Sequence, residues 1–376
     1  MPLPCALRRW LARRNKMSIK NLSLAERLAR PELLTLEPYQ SARRIGGEGQ
    51  IWINANESPF NNSDIEGLNR YPECQPPELI QRYAEYAGVS NQQVLSSRGA
   101  DEAIELLIRT FCIPGRDSIA CFGPTYGMYA ISAQTFNVGV KALRLNSEYQ
   151  LPTELGSQVG DAKLVFICNP NNPTGTVIAP QIIETVVAAL PETLVVVDEA
   201  YIEFCPNYSM ASLLDKYDNL VVLRTLSKAF ALAGARCGFM LANPKVIEMV
   251  MRVIAPYPVP LPVAKLAIDA LSEQGIAKMQ TQVAQLKANG QRLANALTAA
   301  GARVLPAYGN FVLAYFGDQG SCQGNETQVS EVQARLKQAG VVARAYKDPA
   351  LADAIRFSFT SDAQTDTLIA LLAPAV

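Results

Sequence analysis

The stretch TLSKAFALAGARCG, residues 225–238, holds one lysine, Lys228, and one arginine, Arg236, among small and apolar residues. Taken alone, these cations fit solvated positions on an amphipathic helix. Three other segments give them a context. VVVDEAYIEF, 195–204, puts Asp198 directly after an apolar run, with Tyr201 three residues on. A carboxylate at the end of a buried strand is costly unless a cation or solvent meets it. CNPNNPTG, 168–175, follows the apolar run KLVFI, and its prolines and glycine fix a tight loop offering the amides of Asn171 and Asn172. SRGADEAIELL, 97–107, sets a glycine before Ala100, Asp101 and a helical apolar pattern. By itself that is an ordinary helix start with acids in its first turn, and its free N–H groups are also of the kind that bind phosphate.

Lys228 lies 30 residues beyond Asp198, one strand–connection–strand step, so both emerge at the same edge of a sheet. A lysine desolvated there has a depressed pKa and forms a Schiff base with an aldehyde. Asp198 can pair with a pyridinium nitrogen, and the helix start at 100–102 with Ser227 and Arg236 can hold a phosphate. An aldehyde, a ring nitrogen and a phosphate together describe pyridoxal 5′-phosphate. The chain has no histidine, which excludes Ser-His-Asp and Cys-His triads, His-ligated metals and imidazole acid/base chemistry. Such a cofactor supplies the acid/base and electron-sink chemistry the chain lacks, and no metal is expected.

The elements that must position these residues alternate from about residue 77. Helices are expected in PPELIQRYAEYAG, after SRGADEAIELLIRTF and through TYGMYAISAQ; strands are expected in SIACFG, KLVFIC, TLVVVDEA, NLVVLRT and RCGFMLAN. Short apolar runs separated by helices indicate a mainly parallel sheet covered on both faces, with ligands at the carboxyl ends of its strands. The proline-rich APYPVPLP, 255–262, reads as a domain hinge. Beyond it comes a helical stretch from about 263 to 300, with breaks placed at Gly275 and Gly290. The short strands GARVLP, NFVLAYF, VVARAY and AIRFSF then alternate with helices in a smaller α+β domain. The division is 17–45 as an N-terminal arm or small-domain segment, 46–258 as the large domain and 259–376 as the small one.

Lysine plus arginine and aspartate plus glutamate both total 34, so no global field favours nucleic acid or an anionic membrane, and no run is apolar enough to span one. Eight cysteines without a CxxC pair indicate free thiols in a reducing cytoplasm. The opening MPLPCALRRWLARRNKM is basic and acid-free. It is read as a dispensable extension, residues 1–16, before a start at Met17, in preference to a transit peptide.

EPYQSARRIGG, WINANE, LNRYPECQPPELI, SRGADEAIELLIR, PTYGMY, NPNNPTG, DEAYIEF and RTLSKAFALAGARCGF with its continuation through IAPYP resemble the fold-type I pyridoxal-phosphate enzymes, and within them the histidinol-phosphate aminotransferase family. The resemblance covers about residues 21–372. NPTG and SKxxxxxGxRxG mark only the wide superfamily, whereas NRYPECQP and EPYQSARR narrow it. It implies that Lys228 carries the cofactor and shuttles the substrate proton, and that Asp198 keeps the ring nitrogen protonated. Tyr201 and Asn172 bond the ring's phenolic oxygen, Tyr126 stacks on its face, and Ala100, Asp101, Ser227 and Arg236 hold its phosphate. Tyr39, Arg344 and Arg356 match positions that meet the substrate's phosphate, beside Asn172. The implied reaction moves an amino group from L-histidinol phosphate to 2-oxoglutarate, giving imidazole acetol phosphate and glutamate, in a homodimer with shared active sites.

There is one departure. Some members carry a tyrosine after NANE that reaches the neighbouring subunit's cofactor phosphate; here that position is Ser58, whose hydroxyl is too short to substitute. Other readings on the same scaffold are a threonine-phosphate decarboxylase, which EPYQSARR and NRYPECQP disfavour, and an aromatic or broad-range aminotransferase. A non-catalytic pyridoxal-binding sensor lacks the basic DNA-binding module it would need.

Overall fold

The computed structural model describes residues 22–46, 51–152, 155–316 and 326–373. The expected extension 1–16 and the start at Met17 lie outside the described residues. β1 (Val94–Ser97), β2 (Ser118–Gly123), β3 (Gly139–Arg144), β4 (Leu164–Cys168), β5 (Leu194–Asp198), β6 (Leu220–Thr225) and β7 (Gly238–Ala242) form one sheet in the order β1-β7-β6-β5-β4-β2-β3. β3, β2, β4, β5 and β6 run parallel, and β7 runs antiparallel to both its neighbours. This is the mainly parallel, helix-flanked sheet expected of an α/β large domain.

Why the central strands read as unbroken apolar runs is plain from their packing. Val165, Ile167, Val195 and Val197 enter one core, while Leu164, Phe166, Leu194 and Val196 enter the other. With both faces covered by helices, the period of two disappears from the pattern. β1 and β3 are not among the expected strands, because neither is an unbroken apolar run. β3 is an edge strand, and its Lys141 and Arg144 break the run. β1 buries two serines, and Gln75 takes up both the Ser96 N–H (2.7 Å) and its hydroxyl (3.0 Å).

β8 (Arg303–Val304), β9 (Phe311–Tyr315), β10 (Arg344–Ala345) and β11 (Ala354–Ser358) form a second, antiparallel sheet in the order β10-β11-β9-β8. Val312, Ile355 and Phe357 of this sheet share a core with Leu293, Leu297 and Leu368 from its covering helices. The long helical stretch breaks at Leu271–Ser272, between helices Leu261–Ala270 and Glu273–Ala299, not at either glycine. Ser272 caps the second helix by accepting the Gly275 N–H at 3.1 Å. Gly290 sits mid-helix because the Phe359 ring lies where a Cβ would stand.

The expected boundary at 258/259 falls in the proline-rich turn, whereas the packing changes hands later. Ala264, Leu271, Met279 and Val283 join the large core, while Gly290, Leu293 and Leu297 further along the same helix serve the small one. Of the N-terminal arm, Leu24, Leu28 and Leu33 pack on the large domain.

Candidate active site

One cleft of about 490 Å³ opens beyond the carboxyl ends of β4, β5 and β6, where a parallel sheet leaves backbone and side chains free to meet a ligand. Ala100, Asp101, Tyr126, Asn172, Asp198, Tyr201, Ser227, Lys228, Arg236, Arg344 and Arg356 all line it.

Asp198 is the last residue of β5 and is 3% exposed. Its Oδ2 accepts from the Tyr129 hydroxyl at 2.6 Å and its Oδ1 from the Ala200 N–H at 3.1 Å. Burial pushes its carboxyl up to about 6, against these two hydrogen bonds and the pull of Lys228. Glu199, next in sequence, points elsewhere: it is fully buried and paired with Arg224 of β6 at 2.9 Å.

The segment 225–238 is not a helix. After β6 the chain turns, passes through a short 3-10 turn at Ala233–Ala235, takes Arg236 into the left-handed region (φ 55°) and re-enters the sheet as β7. Lys228 is thereby held half-buried, its Nζ 5.6 Å from the centre of the Tyr201 ring, with no hydrogen-bond acceptor among the described residues. Burial first, then the charges of Arg356 and Arg236, hold its ammonium below the usual lysine range, opposed by Asp101 and Asp198. A neutral amine is therefore accessible nearer neutral pH than for a solvated lysine.

Arg236 donates to Asp101 at 3.0 Å and to the Ser227 hydroxyl at 3.3 Å, and Thr225 holds that hydroxyl from the other side at 2.9 Å. These groups gather at the start of the helix Ala100–Phe111. Gly99 (φ 83°) admits the guanidinium, since a Cβ there would lie 2.8 Å from Arg236 Nη2. Gly238 admits the helix start, since its Cβ would lie 2.5 Å from Ala100 N. The Asp101 carboxylate is also bonded by Tyr126 at 2.9 Å. A carboxylate has no proton to give a phosphate, so what Asp101 offers an anion is its backbone N–H.

Of the two loop asparagines, only Asn172 faces the cleft. Asn171 is buried and spent on the Pro124 carbonyl (2.9 Å), Thr174 (2.8 Å) and Thr125 (2.8 Å), which fixes the loop. Asn172 donates to the Tyr201 hydroxyl at 3.3 Å and accepts from Arg356 of β11. The small domain thus reaches across to the large one at this point. Arg344 stands opposite Arg356 in the β10–β11 register.

Tyr39 is not brought to the cleft; it is 68% exposed on the arm. Ser58 is also outside, its hydroxyl accepting the Phe60 N–H at 3.1 Å. Tyr129 is the contributor that the sequence reading missed. PTYGMY carries the only signal, a second tyrosine three residues after Tyr126; the helix expected through TYGMYAISAQ begins at Met128, so Tyr126 precedes it and Tyr129 lies in its first turn.

The donor set fits pyridoxal phosphate: a desolvated amine, a buried carboxylate with lone pairs to spare, an amide–phenol pair between them and a helix start with an arginine. Comparison with known proteins agrees. A profile of the family described as aminotransferase class I and II matches residues 48–372. The chain is 64% identical over 366 residues to a histidinol-phosphate aminotransferase of Shewanella oneidensis, covering 95% of this chain and 91% of that one. It is 53% identical to another from Vibrio parahaemolyticus, over 78% and 86% of the two chains. The crystal structure of histidinol-phosphate aminotransferase from Sinorhizobium meliloti in complex with pyridoxal-5′-phosphate superposes with a TM-score of 0.73 at 25% identity, covering 81% of this chain and 82% of that one.

Proposed function

The chain belongs to the aminotransferase class I and II family, and from that premise we propose that it is the pyridoxal-phosphate-dependent enzyme that converts L-histidinol phosphate and 2-oxoglutarate to imidazole acetol phosphate and glutamate in histidine biosynthesis. The observation carrying this reading is one cleft in which Lys228, Asp198 and the Arg236 cradle from the large domain face Arg344 and Arg356 from the small one.

Pyridoxal phosphate, when bound, supplies an aldehyde for an amine and a ring that withdraws electrons from the substrate carbon. Asp198 would hold a proton on the ring nitrogen. Asn172 and Tyr201 would hold the phenolic oxygen, and Tyr126 the ring face. The backbone N–H groups of Ala100 and Asp101, with Ser227 and Arg236, would bind the phosphate. Lys228 Nζ, poised by its depressed pKa, would take the substrate's carbon-bound proton and return it to the cofactor. Arg356 and Arg344 offer planar donor forks to the phosphate of one substrate and the carboxylates of the other. Both half-reactions use one cleft, so the kinetics should be ping-pong.

A homodimer fits the exposed Ile51 (85%), Ile53 (88%) and Phe60 (76%), three large apolar side chains left uncovered along one short segment of chain. Tyr39 would then act across that interface. Six described cysteines are free and buried, in keeping with the cytoplasm, and among the described residues no helix is long and apolar enough to cross a membrane. The test is the cofactor spectrum on adding L-histidinol phosphate alone. Loss of the visible band with accumulation of pyridoxamine phosphate, reversed by 2-oxoglutarate, supports the assignment. An unchanged band with release of carbon dioxide from phosphothreonine would replace it with the decarboxylase reading.

A further inference from the structure

Asp198 has four lone-pair sites and is 3% exposed, so whatever bonds it decides which way its free sites face. Tyr129, on the helix Met128–Thr135, is 0% exposed and donates to Oδ2 at 2.6 Å. Its ring cannot swing away. It stacks on Phe166 of β4 at 4.8 Å and 14°, and stands edge-on to Tyr126 at 5.6 Å and 83°. The same side chain therefore touches the carboxylate expected at the ring nitrogen and the tyrosine expected on the ring face.

We propose that Tyr129 is a positioning residue for the cofactor: its hydroxyl fixes the plane of the Asp198 carboxylate and holds its charge, leaving a free lone pair aimed at the ring nitrogen. This rests on the cofactor reading above. The other groups facing Asp198 do not share the role. Lys228 and Asp101 act across the cleft with opposite signs, and the Cys168 thiol lies beside it on β4. Cys168 donates to the Pro170 carbonyl at 3.3 Å. Tyr126 donates to Asp101 and Tyr201 accepts from Asn172. Among the described residues Tyr129 is the one side chain hydrogen-bonded to Asp198. Burial drives that carboxyl upward, and the Tyr129 hydroxyl is the largest opposing influence.

The test is the affinity of apoprotein for pyridoxal 5′-phosphate between pH 5.5 and 8.5, read by cofactor absorbance for wild type, Tyr129→Phe, Asp198→Asn and the double variant. Phenylalanine keeps both ring contacts, and circular dichroism checks the fold. In Tyr129→Phe the acid-side loss of affinity should begin about one pH unit higher, weakening binding roughly tenfold at pH 6.5 and much less at pH 8.5. In the Asp198→Asn background the substitution should change nothing. Superimposable wild-type and Tyr129→Phe profiles overturn the inference, as does a loss equal at every pH or one that persists without Asp198. Failure of the wild type itself to bind the cofactor would instead overturn the functional reading.

Discussion

At the scale of single residues, Asp198 and Glu199 are adjacent acids placed in different company. Glu199 is matched by Arg224, Ser209 and the Met210 N–H, so its charge is fully met. Asp198 is left short of donors and is pushed up to about 6 by burial. Its folded pKa lies above the unfolded value, so the stability it contributes is full below about pH 4 and is lost as pH rises through about 6. Glu203, pushed up to about 7 by burial, acts in the same direction. Asp198→Asn should therefore raise the melting temperature of apoprotein at pH 8 by ~2 °C or more while weakening cofactor binding. An unchanged melting temperature there would show that the carboxylate is not the strained group described here. Lys228→Ala should lose the visible band of the bound cofactor and at least ~10²-fold in transfer rate; a fully active variant would sink its role. Arg356→Ala should cost ~2–5 kcal/mol in apparent affinity for histidinol phosphate, read from KM, because the phosphate would lose a charged partner.

At the scale of elements, two loops and one helix start set the site. The loop after β4 spends Asn171 on itself so that Asn172 can face outward, and the loop after β6 places Lys228 and Arg236 on either side of a turn. β7 then carries Gly238 against the start of helix Ala100–Phe111. Gly238→Ala would push that start away by overpacking, at a cost of ~1–3 kcal/mol in stability. Cofactor affinity should fall with it, as measured by titration of apoprotein. Retained affinity would mean that the helix start is not the phosphate site. Lysine, aspartate, both loops and the helix were legible because each follows a strong apolar run or a proline-glycine pattern. Tyr129 was not, because a tyrosine inside a helix looks the same whether it fills a core or bonds a carboxylate. The bland helical reading of 225–238 fails for a similar reason: its spacing permits a helix, and only pairing of β6 with β7 forbids one.

At the scale of the whole molecule, the small antiparallel sheet delivers two arginines to a cleft built by the parallel one. Arg344 and Arg356 are cross-strand partners, so both reach the cleft from one end of one sheet. The exposed apolar surface around Ile53 and Phe60 belongs to the segment that also carries Ser58. Ile53→Asp combined with Phe60→Asp should shift the protein from dimer to monomer in sedimentation, with loss of activity if Tyr39 completes the site across the interface. A wild-type monomer at micromolar concentration would remove the dimer from the account.

Local patterns were sufficient for the fold class and the cofactor chemistry, because the central strands stand in the chain as short unbroken apolar runs, and Asp198 and Lys228 follow on two of them. The tertiary structure decided what depends on partners distant in sequence. It sent Asn171 inward and Asn172 outward, withdrew the Asp101 carboxylate into bonds with Tyr126 and Arg236, and left Tyr39 on the surface. It also set Tyr129 against Asp198 across 69 residues of chain. Hydrogen-bond partners of that separation are chosen by packing of whole layers, which no window of sequence contains.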